Sequence, residues 1–433
     1  MAAACLLAKR GWQVELFEKN DQLGGVFNLD GPSWYMMPDL YERFFEILGE
    51  KRADYFGLER LTPSYRVFFE DERVDMYSDL KKDLATFERL EPGVSLKFNK
   101  FISQAQKKYA LAQAFMFGDY AKLLAPIPFP VFSSMHRYLK KNFQSEKVRQ
   151  LLSYPYMFLG AAPEEIPALY SFMTYADFGL GVWRPVGGMS KIIDALISVG
   201  KKYGVTFKTG LEAQKINVRQ GVAVSVAFRD SSGNSLEAPA DIVISNADIY
   251  HTENDLLSVA TRSQSANYWN RARTSFPVLL IYLDLSESFP ALIYHNLFFG
   301  HFPFYVKSEK EQNKLFILVP LVDRCLDKSQ YYSVLEEVLS LIEKRTGAHL
   351  KEKIVSSKFF GPEDFAQKYH YFRGSALGLA HTLFQTAFLR PSQRSRKLNN
   401  LFYVGANTNP GVGVPSCLAS AARLCNILNS LAI

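Results

Sequence analysis

The sequence predicts an α/β fold organised around a dinucleotide-binding unit, and three observations carry that expectation. Near the N-terminus, a run of small and apolar residues (1–11) reads as a helix closed by Gly11, followed by a strand, Val14 to Phe17, that ends in Glu18. At the far end, a strand over 401–404 enters the glycine-rich turn 405–415 and then a helix over 416–431. Between them, 241–248 reads as a buried strand running into a polar turn. Helix, glycine stop, strand and terminal acid match the second half of a βαβ unit, where the acid accepts a hydrogen bond from a ribose hydroxyl. Glycines leading into a helix N-terminus bring bare backbone and a positive dipole end to one place. The chain as given starts within the helix, so the first strand and the GxGxxG turn are expected to be missing.

The remaining elements follow in order. Lys9 and Arg10 suit the last turn of the first helix, where cations favour the dipole. The paired Gly24 and Gly25 permit positive φ and close ligand approach in the loop 21–25. An amphipathic helix is expected around 39–49, and 79–120 reads as helical with Leu80, Leu84 and Phe87 on one face. The segment 123–133, LLAPIPFPVFS, is too broken by proline for one helix. It reads either as a membrane-contacting or substrate-entrance loop, or as a buried connection between helices. Gly187-Gly188-Met189 precede a helical run, 190–203, that Gly204 stops. Strands are expected at 205–208, 213–218, 222–229 and 278–285, and helices at 330–344 and 376–389.

Composition narrows the function classes. With 433 residues, 48% of them hydrophobic and 14% aromatic, the chain can build a large core and still line an apolar cavity. Four Cys without a CxxC argue against a disulfide framework, and seven scattered His without HxxH argue against a metal centre. The net charge of +7 is mild, so no nucleic-acid partner is expected, while attraction to an anionic lipid surface fits it better. No apolar run reaches the length of a membrane span, and no signal peptide is read at the N-terminus.

The motifs VELFEKNDQLGG, GPSWYMMPD, WRPVGGM, VISNAD, GPEDF, GLAHTLFQTAFLRP and LFYVGANTNPGVGVP occur in this order along the chain. In that order they resemble the bacterial-type phytoene desaturases, FAD-dependent carotenoid desaturases within the wider amine-oxidase-like flavoproteins. The resemblance implies a Rossmann-type FAD-binding domain from 1–80, 180–255 and 380–433, with an inserted, discontinuous α+β substrate domain from 81–179 and 256–379. It implies that Glu18 binds the adenosine ribose, with Lys19, Gly24 and Gly25 nearby, and that Lys215-Ile216 meet the adenine through backbone groups. Gly405, Ala406, Gly413, Val414 and Pro415 would pass under the pyrophosphate and isoalloxazine. Pro415 suits a first helical turn, where no N–H is needed.

The implied reaction removes hydrogen across a C–C bond of phytoene or a related linear carotenoid precursor, in a dry tunnel lined by aromatic residues of 101–178 and 289–304. The alternatives are a flavin-dependent carotenoid isomerase and a catalytically degraded relative. The catalytic residues are left open; His295, His381, Asp177 and Arg184 are the candidates, each with an ordinary structural reading beside it. The substrate, a long apolar isoprenoid, implies a cytoplasmic protein associated peripherally with membranes, with oxygen or a quinone as electron acceptor. Against the family pattern, the loop after Gly25 is short, Val26 stands where Arg is usual, and Asn409 stands where His is frequent.

Overall fold

The computed structural model describes residues 1–29, 34–119, 133–322 and 326–431. The first helix, Ala2–Lys9, buries Cys5, Leu6 and Leu7 and ends at Arg10, with Gly11 at φ 86°. The strand Glu15–Phe17 pairs in parallel with Thr206–Lys208, so Glu15 sits opposite Thr206. The expected strand over 241–248 is Val243–Ser245, and it pairs in parallel with Leu401–Tyr403. These two pairs stand as separate two-stranded sheets among the described residues, where a Rossmann-type unit predicts one continuous parallel sheet. A three-stranded antiparallel sheet, Leu211–Arg219, Val222–Asp230 and Ser235–Pro239, completes this half.

The largest sheet has seven strands, in the order 354–360, 278–285, 314–320, 304–309, 295–298, 65–68, 73–76. The strand Val278–Leu285 shows why the sequence folds so. Leu279, Ile281 and Leu283 alternate with Val278 and Leu280, and the two sets face opposite sides. The first set packs under the helix Tyr331–Thr346, through Val334, Leu335, Val338 and Ile342. The second joins the main core with Tyr41, Phe44, Tyr65 and Tyr154. Strands Tyr65–Phe68 and Arg73–Met76 belong to this sheet, although the division expected at residue 80 assigns them to the cofactor half.

A helical module lies beside the sheet. The helical stretch expected over 79–120 is two helices, Leu80–Leu90 and Ser95–Phe117, because Glu91-Pro92-Gly93 interrupts the backbone bonding. Helices Met135–Asn142 and Glu146–Ser153 follow, each capped by a serine hydroxyl. The run 376–389 is not the helix that its composition predicts. It is irregular, with short turns at Leu383–Gln385 and Ala387–Leu389, an extended Thr386, and Ala387 at φ 46°. The proline-broken segment 123–133 lies outside the described residues except for Ser133. No described helix is long and apolar enough to cross a membrane.

Candidate active site

The two ends of the chain lie side by side. The Arg10 guanidinium donates to the Cys425 carbonyl and to Asn429 Oδ1, both at 2.8 Å, which ties the first helix to the last, Val414–Ser430. The helix that leads into the Glu18 strand and the helix that follows the Gly413 turn therefore pack against each other. Glu18 Oε1 accepts from the Asn20 amide at 2.9 Å and from Asn20 Nδ2 at 2.6 Å. Its Oε2 has no partner among the described residues, so it is open to a ligand hydroxyl.

The glycine-rich turn supplies what a flat, anionic ligand needs. Gly413 caps the last helix with φ 104°, and a Cβ there would touch nothing closer than 4.0 Å. Pro415 occupies the first turn, as the sequence implies. Gly405 also has φ 104°, and Asn246 Nδ2 donates to the neighbouring Val404 carbonyl at 3.1 Å. Asn409 Oδ1 is buried without a partner. Bare glycine backbone, a helix N-terminus, an open carboxylate oxygen and an orphaned amide oxygen are groups that a flavin dinucleotide can satisfy.

Lys19 is held in a cluster with His370 and Glu212. Its Nζ is 3.0 Å from His370 Nε2 and 3.5 Å from Glu212 Oε1, in a cluster where the His370 contact chiefly holds the Glu212 carboxyl below its ordinary range. Gly24 and Gly25, at φ 124° and 55°, lead into the turn Gly25–Leu29, and Asn28 fills the space a Cβ on Gly24 would need. Lys215 is exposed and Ile216 is buried, with the Ile216 amide donating to the Leu256 carbonyl at 2.9 Å.

The four catalytic candidates occupy different settings. His381 reaches the glycine-rich turn: its Nε2 lies 3.3 Å from the Val412 amide, and its Nδ1 lies 2.5 Å from the Tyr170 hydroxyl. An amide can only donate, so Nε2 accepts, Nδ1 carries the proton, and Tyr170 passes its own hydrogen to Thr386 Oγ1. Burial holds this imidazole neutral. His295 is also buried and neutral, stacked on Trp34 with centroids 4.1 Å apart. Its Nδ1 meets the Tyr305 hydroxyl at 2.6 Å, and its Nε2 has no partner. Asp177 lies in the helix Phe172–Phe178 and accepts from the hydroxyls of Tyr65, Ser78 and Tyr154 at 2.9, 2.6 and 2.7 Å. Burial raises its pKa to about 6. Arg184 bonds Glu59 at 2.8 Å and lies over the Tyr294 ring, so its guanidinium is engaged at the surface rather than on a phosphate.

Two aromatic residues from the stretch expected to line a tunnel, Tyr154 and Phe158, pack on Trp34, which also meets Tyr65 and Tyr305. A hollow of about 350 Å³ lies elsewhere, bounded by Tyr250, Asp255, His370 and Arg373. Sequence reasoning misses Arg390. Its buried guanidinium donates to the carbonyls of Leu379, Gln385, Ala406 and Thr408 at 3.2, 3.1, 2.7 and 3.3 Å. Burial lowers its pKa to about 10. A lone arginine closing the apolar run before Pro391 is the signal that points to it.

Comparison with known proteins gives the family and the fold. The sequence profile described as "flavin containing amine oxidoreductase" matches residues 1–429. The carotenoid 3,4-desaturase of Haloarcula japonica is 34% identical, over 99% of this chain and 95% of the relative. The zeta-carotene-forming phytoene desaturase of Myxococcus xanthus is 29% identical, over 97% and 90%. In fold, the chain is similar to an oxidoreductase from Methanosarcina mazei, with TM-score 0.60, 17% identity and coverage of 98% and 97%. An engineered putrescine oxidase gives TM-score 0.63 at 13% identity, with coverage of 99% and 96%. The chain belongs to the flavin-containing amine oxidoreductase family and, within it, stands with the carotenoid desaturases.

Proposed function

We propose that this protein is an FAD-dependent desaturase of phytoene or a related linear carotenoid. The observation that carries the reading is the packing of the first helix on the last, which joins the elements bearing Glu18 and the Gly413 turn, in a chain that spans nearly the full length of the carotenoid 3,4-desaturase it resembles. Bound flavin supplies the hydride acceptor for such a reaction. The chain's own residues hold and align. Glu18 Oε2 is positioned to accept a ribose hydroxyl, with Lys19, Gly24 and Gly25 beside it. Gly405, Ala406, Gly413, Val414 and Pro415 form the backbone seat for the diphosphate and ring, while Lys215 and Ile216 edge the adenine end. His381 and Arg390 fix that seat from behind.

In this reading the cofactor half is drawn from 1–80, 180–255 and 380–433, with the sheet strands of 65–76 contributed to the substrate half. The substrate dissolves only in lipid, so the protein works at the cytoplasmic face of a membrane without crossing it, and electrons leave to oxygen or a quinone. The test is incubation of the flavin-loaded protein with phytoene in vesicles, read by mass spectrometry. Loss of two hydrogens per step is expected. An unchanged mass with a shifted double-bond geometry would replace desaturation by isomerisation.

A further inference from the structure

The net charge of +7 is not spread over the molecule. Residues 95–119 and 133–150 hold nine Lys or Arg against Asp119 and Glu146, an excess equal to that of the whole chain. Lys108 is buried and Lys147 is paired with Asp71 and Glu72. Six of the others, Lys97, Lys100, Lys107, Arg137, Lys140 and Lys141, are exposed with no carboxylate partner among the described residues. They lie on adjoining helices: Tyr138 of Met135–Asn142 packs on Phe101 and bonds Gln104 of Ser95–Phe117. Two acids of the adjoining segment are paired elsewhere, Glu164 with His136 and Glu165 with Arg273.

Next to this cationic face stands an apolar knuckle. Phe384, Phe388 and Leu389 are 80%, 66% and 58% exposed. Phe388 touches the ring of Phe115, two turns beyond Lys107 on the same helix. The intervening Thr386 bonds Tyr170, whose turn packs against the helix Met135–Asn142. Three residues before Phe384, His381 touches the glycine-rich turn. Cations that meet no acid among the described residues, bordered by exposed aromatic rings, match an anionic bilayer, where charge draws the surface down and rings enter the headgroup layer. An acidic protein or a nucleic-acid duplex would use the cations and leave the rings in water.

We propose that the exposed face of helices Ser95–Phe117 and Met135–Asn142, together with Phe384, Phe388 and Leu389, docks the protein on an anionic lipid bilayer, beside the turn that seats the cofactor. The proposal rests on the reading of the protein as one that draws its substrate from lipid, and its test needs neither flavin nor carotenoid.

The full chain is floated with vesicles of phosphatidylcholine alone and with vesicles that also contain phosphatidylglycerol. Tighter binding by about tenfold or more to the second is expected, weakening with salt. Replacing Arg137, Lys140 and Lys141 by Gln, or Lys97, Lys100 and Lys107 by Gln, is expected to remove most of that preference. Phe384→Ser with Phe388→Ser is expected to weaken binding and to leave its residue more salt-sensitive. Lys314→Gln with Lys358→Gln, on the seven-stranded sheet, is the control and should bind as the parent does. Circular dichroism confirms that each variant is folded. Indifference to phosphatidylglycerol, or parental binding by the two triple variants, overturns the proposal. So does binding to a duplex oligonucleotide that survives the Phe substitutions while vesicle binding is absent. Vesicle binding without desaturation would sink the proposed reaction and leave the docking face standing.

Discussion

His381 Nε2 accepts the Val412 amide at 3.3 Å, so a side chain from an irregular segment holds the glycine-rich turn in place. The neighbouring Gly411 has φ 135°, and a Cβ there would collide with the imidazole. Two effects therefore oppose any residue but glycine at 411, backbone strain and collision with a ring that cannot retreat from Tyr170. Gly411→Ala should weaken flavin retention by about tenfold or more, the equivalent of about 1.4 kcal/mol. In a His381→Ala background the collision is gone and only the strain remains, so the same substitution should cost distinctly less. Flavin release titrated by fluorescence in the four-variant cycle checks this. Additive losses would mean that the ring and the turn are not coupled.

Arg390 acts on the same turn from the other side. Four carbonyls converge on its guanidinium, and no lysine can replace the planar fork. Arg390→Lys should destabilise the protein by about 3 kcal/mol, since each buried carbonyl left without a donor costs about 1–3 kcal/mol. Urea unfolding with an unchanged slope would read the loss as one of stability alone. A drop well under 1 kcal/mol would show that water takes over the carbonyls.

These two residues mark where the sequence stops being legible. The strands were readable because Val278–Leu285 is a short, nearly continuous apolar run and because glycines close the helices at 11 and 204. The meeting of the termini was readable because each end carries its own ligand-approach signature. The run 376–389 was not, because Leu, Ala and Phe in it fit a helical face while tertiary bonds dictate otherwise. Gln385 exchanges hydrogen bonds with both backbone groups of Arg273, and Arg390 takes the carbonyls of Leu379 and Gln385. Those partners lie up to 112 residues away, beyond any local pattern. The same holds for His295, whose stack on Trp34 joins positions 34 and 295 across the core.

Asp177 gives the stability a defined pH dependence. Its folded pKa is raised to about 6 by burial, against about 4 for the carboxyl in the unfolded chain. Between those values the folded state holds the extra proton, so stability falls as pH rises from about 4 to 6 and levels off above. Two pH units correspond to about 2–3 kcal/mol. Asp177→Asn keeps an oxygen for the two tyrosines and an amide for Ser78, and it should flatten that part of the curve. Denaturation midpoints of parent and variant across this range decide the matter; parallel curves would assign the dependence to Asp83 or Asp248, whose pKa values burial also raises, to about 7 and about 6.

Glu18 separates cofactor binding from folding. Its Oε1 bonds Asn20 within the chain, whereas its Oε2 has no partner among the described residues. Glu18→Gln keeps an oxygen for the Asn20 groups but replaces the other carboxylate oxygen by an amide nitrogen, which cannot accept. A hydrogen bond to a charged acceptor contributes about 1.5–3 kcal/mol, so FAD affinity should fall by about tenfold to a hundredfold with little change in thermal midpoint. Titration of the apoprotein with FAD, beside its melting curve, tests both halves. Unchanged affinity would remove Glu18 from the cofactor site.

His295 distinguishes a structural imidazole from one that handles a proton. It is neutral, stacked flat on Trp34, and its Nε2 is buried without a partner. A buried nitrogen left unbonded costs about 1–3 kcal/mol, so a ring of similar size without it should be tolerated or favoured. Phe preserves the stack and discards the orphaned nitrogen, but it also removes the bond that Nδ1 now makes with the Tyr305 hydroxyl. The two effects oppose each other, so His295→Phe should change stability by less than about 1 kcal/mol, and His295→Phe with Tyr305→Phe should be more stable than the parent. If Nε2 instead receives the proton lost by the substrate, His295→Phe abolishes turnover while flavin binding and stability persist. His295→Gln, with an amide able to accept a hydrogen bond but not a proton at neutral pH, would then fail as well. Melting curves, flavin content and product mass for these variants separate the two roles.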